Sequence, residues 1–129
     1  QAVIGIEQMK KLDWRIERKK AMFALYYREL AGLEEVQFVE TDLRDTAPWF
    51  IDILVADPKA LADFLEQRGV GTRPFYPPVH TQAPYKSSAR YPVSEEISYH
   101  GLWLPSSLFL SDEDIVGICD AIKSFYHAS

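Results

Sequence analysis

The stretch Pro48–Gly69, PWFIDILVADPKALADFLEQRG, changes its period half-way along. Trp49, Ile51, Ile53 and Val55 alternate with Phe50, Asp52, Leu54 and Ala56. Such alternation predicts a strand with one apolar face and one mixed face. At Asp57 the alternation stops. An aspartate followed by Pro58 is a good helix opening, with Asp as the cap and Pro at the first helical position. Leu61, Phe64 and Leu65 then give that helix an apolar side, and Gly69 ends it.

Working outward, VGTRPF predicts a further short strand, broken by Pro74, and VQFVET upstream predicts another. PVSEEISYHG reads as a short helix ending at Gly101, with SEE, Ser94–Glu96, as its acidic cap. LWLP is strand-like. Ser111, Asp112, Glu113 and Asp114 make an acidic helix start favoured by the helix dipole. Ile115, Ile118, Cys119, Ile122 and Phe125 follow at helical spacing, which puts Cys119 in the core. At the other end, Ala2, Ile6, Met9, Leu12, Ile16, Phe23, Tyr27 and Leu30 lie mostly three or four apart. They predict one long amphipathic helix stopping at Gly32, whose run RIERKK (Arg15–Lys20) is a solvated face. That helix is already running at Ala2 with no capping residue before it, as a trimmed terminus or a longer chain cut at the helix opening would be. The element order predicts an α+β fold in one domain, residues 1–129: a small, mostly antiparallel sheet with helices packed on it, preceded by the long N-terminal helix.

Composition narrows the function. The chain has 129 residues, 47% hydrophobic and 26% charged, enough for one core. Fourteen basic against 19 acidic residues leave a net charge of −5. That argues against a nucleic-acid binder, which needs a basic face, while a local pocket for an anion stays open. One cysteine forbids an internal disulfide and points to a cytoplasmic setting. No apolar run approaches the ~20 residues of a membrane span. His80, His100 and His127 show no zinc-helix spacing, so no metal is expected. His127 is placed to complement the dipole of the last helix.

One stretch has the character of a site: Arg73 to Tyr85, with FYPPVHTQAPY at its centre. Pro77 and Pro78 stiffen the backbone, Tyr76 and Tyr85 offer flat faces with hydroxyls, and His80 can donate or accept. Arg73 can pair bidentately with a carboxylate or phosphate of a ligand, or form an ion pair with a nearby acid. The loop could equally be a stiff connection packing its rings inward.

The segments QAVIGIEQMKKLDWRIERKK, LADFLEQRGVGTRPFYPPVH, YPVSEEIS, GLWLPSS and LSDEDIVGICDAIKSF, taken in order, resemble the C-terminal small domain of DegT/StrS-type sugar aminotransferases. These are fold-type I enzymes dependent on pyridoxal phosphate (PLP), and GLWLPSS looks most like the perosamine synthase-type members. The resemblance implies a polysaccharide-sugar enzyme acting on a nucleotide-linked keto-deoxy sugar with an amino-acid donor. It implies that the large PLP-binding domain is absent from this chain, and with it the catalytic lysine. That lysine usually stands in a Ser-x-x-Lys context. The residues three before Lys10, Lys11, Lys19, Lys20, Lys59, Lys86 and Lys123 are Glu7, Gln8, Ile16, Glu17, Ala56, Ala83 and Asp120. The loop that would reach a partner subunit's cofactor phosphate would end near Gln1. The expectation is a substrate-binding wall made by Arg73, Tyr76 and His80. In it Arg73 pairs with an anion, Tyr76 contacts the sugar or cofactor side, and His80 makes a hydrogen bond. No catalytic residue or bound cofactor is expected of this chain alone, which would be inactive. The alternative is a free-standing binding module derived from such a domain. A homo-oligomer is expected, joined through apolar surface at Ile4, Trp14, Tyr26, Phe75 and Trp103.

Overall fold

The computed structural model describes residues 2–127. Gln1, where the expected preceding loop would end, lies outside the described residues. The long N-terminal helix is in fact two: α1, Ala2–Met9, and α2, Leu12–Leu30. The ladder lapses at Lys10–Lys11, where Lys11 sits at φ −102°, ψ 2°. The physical reason is packing. No residue of α1 is buried, whereas α2 buries Met22, Phe23, Leu25, Tyr26 and Leu30. An isolated two-turn helix has little to hold it in line with a packed one.

The other elements follow the expected order. They are β1 (Gln37–Phe38), β2 (Ile51–Leu54), α3 (Pro58–Glu66), β3 (Arg73–Pro74), α4 (Pro92–His100), β4 (Gly101–Leu104) and α5 (Asp112–His127). Asp57 caps α3, its side chain accepting from the Ala60 N–H at 2.9 Å. Gly69 closes that helix at φ +77°, a conformation that disfavours any side chain. Ser111 and Asp114 form a reciprocal box at the start of α5: Asp114 N donates to Ser111 Oγ at 3.1 Å, and Ser111 N donates to Asp114 Oδ2 at 2.8 Å. The SEE segment departs from expectation. Ser94 is inside α4, and the cap is made by Glu95, whose carboxylate accepts from Tyr91 N at 2.9 Å.

The sheet is antiparallel throughout, in the order β1-β2-β4-β3. Its alternation sorts the side chains. Ile51, Ile53, Leu102 and Leu104 point into a core completed by Leu61 and Leu65 from α3 and Ile115, Ile118 and Ile122 from α5. Trp49 falls outside the alternating set at 78% exposed, since regular pairing starts only at Ile51. Cys119 is buried as expected, and burial pushes its thiol pKa up to about 12, so it stays protonated. The RIERKK run is no simple solvated face. Arg18 bonds Asp112 at 2.6 Å and Leu110 O at 2.5 Å, and Lys19 reaches Trp49 O and Ser106 O at 2.9 and 2.5 Å. These contacts staple α2 to the segments leading into β2 and α5. Two expected surface residues are also inside. Tyr26 is wholly buried, donating its hydroxyl to Pro105 O at 2.9 Å, and Trp103 is only 9% exposed. Among the described residues no helix is long and apolar enough to cross a membrane.

Candidate functional site

The second face of the sheet carries the chemistry. Trp103 lies opposite Asp52 on one side and Arg73 on the other, so acid, indole and guanidinium form a row across three strands. Period-two alternation puts all three on the face away from the core. The Trp103 ring stacks on Phe50 with centroids 4.2 Å apart and touches Phe75 and Tyr76 at 5.0 and 4.9 Å. Phe75 can sit there because position 101 has no side chain. A Cβ on Gly101 would lie 2.2 Å from the Phe75 ring. Burial raises the pKa of Asp52, an effect partly offset by a hydrogen bond from the Trp103 indole.

From this aromatic seat the chain leaves as FYPPVHTQAPY. The loop braces itself: Thr81 donates to Pro78 O through both its N–H (3.0 Å) and its hydroxyl (2.8 Å). Gln82 Nε2 donates to Pro77 O at 3.0 Å. The loop also leans on α4, where Ser98 Oγ donates to Tyr76 O at 2.8 Å and His80 Nε2 lies 3.2 Å from Glu95 Oε1. Between loop and α4 runs an open groove of about 660 Å³, lined by Tyr76, Pro78, His80, Tyr91 and Ile97 among others. The groove is lined mainly by aromatic, proline and aliphatic side chains, with a few hydroxyls among them.

The three expected site residues are placed unequally. Tyr76 and His80 line the groove. Arg73 does not line it; its guanidinium stands 4.9 Å from the Tyr76 ring and 5.8 Å from Trp103. Arg73 is exposed and makes no ion pair among the described residues, so the nearby-acid alternative finds no partner and the cation is available to an anion. His80 is already engaged with Glu95, and its side chain is 12% exposed. Glu95, Trp103 and Gly101 escaped the sequence reading of the site. Glu95 was hidden in an acidic helix start, and the two β4 residues carry no signal until the register sets them beside Arg73 and Phe75.

Imine chemistry needs an accessible amine of lowered pKa. Burial lowers the pKa of Lys19. Its ammonium is held by Trp49 O, Ser106 O and Ser106 Oγ, three acceptors that use all three of its protons. Lys59 and Lys123 are tied to carboxylates.

The sequence model of the DegT/DnrJ/EryC1/StrS aminotransferase family matches residues 1–123. The GDP-perosamine synthase of Escherichia coli O157:H7 is 31% identical over 129 residues, covering 97% of this chain and 35% of that protein. The GDP-perosamine synthase of Vibrio cholerae is 31% identical over 134 residues, covering 98% and 36%. Among solved structures, the aminotransferase TlmJ from Streptoalloteichus hindustanus superposes with a TM-score of 0.89 at 22% identity, covering 97% of this chain and 35% of that one. The S. venezuelae DesV structure, in complex with a ketimine intermediate, superposes with a TM-score of 0.86 at 26% identity, covering 97% and 35%. The chain spans about a third of the length of the relatives it matches.

Proposed function

Given that this chain belongs to the DegT/DnrJ/EryC1/StrS aminotransferase family, we propose that it acts as the small domain of a PLP-dependent enzyme that aminates a nucleotide-linked keto-deoxy sugar. In that reading it supplies one wall of the substrate cleft and no chemical centre. The observation that carries it is the exposed, unneutralised Arg73 set against Tyr76 on a self-braced loop, in a chain with 31% identity to GDP-perosamine synthases.

The residues have separate tasks. Arg73 pairs with an anionic group, a diphosphate of the nucleotide-sugar or the carboxylate of the amino-acid donor, in the bidentate manner that guanidinium allows. Tyr76 gives a flat face and a hydroxyl for the sugar. His80 makes a directed hydrogen bond from the groove wall. Transamination also needs an imine-forming lysine and an electron-sink ring, and both belong to residues outside this chain in our reading. The amino donor, the keto sugar and a second copy of the full enzyme are its partners, in a cytoplasmic setting.

The test is direct. The chain is supplied with PLP, glutamate and a nucleotide-linked 4-keto sugar, and both amination and the imine absorbance band are followed. No turnover and no borohydride-sensitive band are expected. Turnover by this chain alone would overturn the assignment of the chemistry to another domain.

A further inference from the structure

Each carbonyl from Tyr76 to His80 already accepts a hydrogen bond. From Pro77 onward the loop supplies its own donors: Gln82 Nε2 to Pro77 O, Thr81 N and Oγ1 to Pro78 O, Gln82 N to Val79 O at 3.1 Å, and Ser87 N to His80 O at 3.1 Å. Tyr76 is the exception. Its carbonyl accepts from Ser98 Oγ on α4 at 2.8 Å, and among the described residues no other hydrogen bond joins this loop to α4. Before Tyr76, Phe75 N donates to Gly101 O at 3.1 Å and so extends the β3–β4 pairing. After it stands Pro77, and a residue that precedes proline is confined to extended backbone. With the N–H before it and its own carbonyl both pinned, Tyr76 has one direction in which its ring leaves the chain.

That ring stands edge-on to Trp103, with centroids 4.9 Å apart and planes at 76°. The Arg73 guanidinium faces both rings, at 4.9 and 5.8 Å, distances at which an aromatic face attracts a cation. No described residue makes a hydrogen bond or ion pair with the Arg73 side chain, so the two rings are what place it. Trp103 is buried and stacked on Phe50, whereas Tyr76 is exposed and needs a tie. We propose that Ser98 is a positioning residue of the anion site: its hydroxyl holds the Tyr76 carbonyl, the Tyr76 ring holds the Arg73 guanidinium, and the guanidinium meets the anionic group of the ligand. The anion half of this rests on the function proposed above; the hold of Ser98 on Arg73 does not.

Nitrogen-15 relaxation at the Arg73 Nε–H reads the order of that side chain with no ligand and no activity assay. Ser98→Ala is expected to lower its order parameter, and Ser98→Thr, which keeps a hydroxyl, to restore it. An order parameter unchanged in Ser98→Ala, or lowered equally in both variants, would overturn the proposal. Tyr76→Leu removes the ring with Ser98 in place and should loosen Arg73 too, with no further loosening when Ser98→Ala is added. Further loosening in that double variant would place the effect of Ser98 outside Tyr76 and overturn the chain of contacts. Calorimetry with GDP-mannose then reads the anion half: Ser98→Ala is expected to bind roughly threefold more weakly than the wild type, and to make no difference once Arg73→Ala is present. An affinity unchanged in Ser98→Ala would overturn that half. No binding by the wild type would remove the nucleotide-sugar reading, while the relaxation data still decide the hold of Ser98 on Arg73.

Discussion

Gly101 decides whether the aromatic seat can form. Its backbone, at φ −80° and ψ 133°, is open to any residue, so the demand for glycine is purely steric. A methyl group there would sit 2.2 to 2.6 Å from three carbons of the Phe75 ring, near the root of that side chain where it cannot swing aside. Gly101→Ala is expected to destabilise the fold by roughly 1–3 kcal/mol in urea denaturation, the usual range for overpacking. Combination with Phe75→Ala should be less than additive, because the two changes share one contact; strict additivity would show that Phe75 does not sit over Gly101. Asp52 makes a second residue-scale prediction. Its pKa is raised above 3.8 in the folded state by burial. The unfolded chain therefore ionises first, and the contribution of Asp52 to stability falls as pH rises from 3.8 through the raised value. Asp52→Asn should gain on the wild type between pH 3.5 and pH 7 in paired denaturation curves. A difference between the two that does not change with pH would contradict this.

Among the helices, starts were more legible than lengths. Asp57–Pro58 and Ser111–Asp114 announce α3 and α5 because capping chemistry is local and needs only the residues themselves. Removing the Ser111 hydroxyl should lower stability by about 1 kcal/mol, and Ser111→Asp, which still accepts, should recover most of it. A Ser111→Ala midpoint equal to wild type would mean that the box adds nothing to α5. The break at Lys10–Lys11 was not legible, since periodicity runs across it unchanged; only the absence of packing around α1 distinguishes the two halves. The same holds for the basic run, where Arg18 and Lys19 look solvated until the segments before α5 and β2 are brought beside them. Of the site, Arg73, Tyr76 and His80 could be chosen from the loop's composition. Glu95 and Trp103 could not, because their part depends on the α4 contact and the β3–β4 register.

At the scale of the whole molecule, the exposed apolar residues are unevenly spread. Val3, Ile4, Ile6 and Met9 on α1 are all at least 60% exposed, and Trp14 on α2 is 56% exposed. A surface of this kind favours association. Light scattering should show a mass rising with concentration, reduced in the double variant Ile4→Lys, Trp14→Lys; a constant monomer mass across the range would count against it. The central claim concerns the other side of the molecule, where the sheet's second face and the proline loop present Arg73, Tyr76 and His80. Calorimetric titration of the chain with GDP-mannose, comparing wild type with Arg73→Ala, tests it most directly. The account predicts measurable heat for the wild type and about tenfold weaker binding for the variant, which corresponds to about 1.4 kcal/mol. Equal affinities, or no heat from either protein, would contradict it.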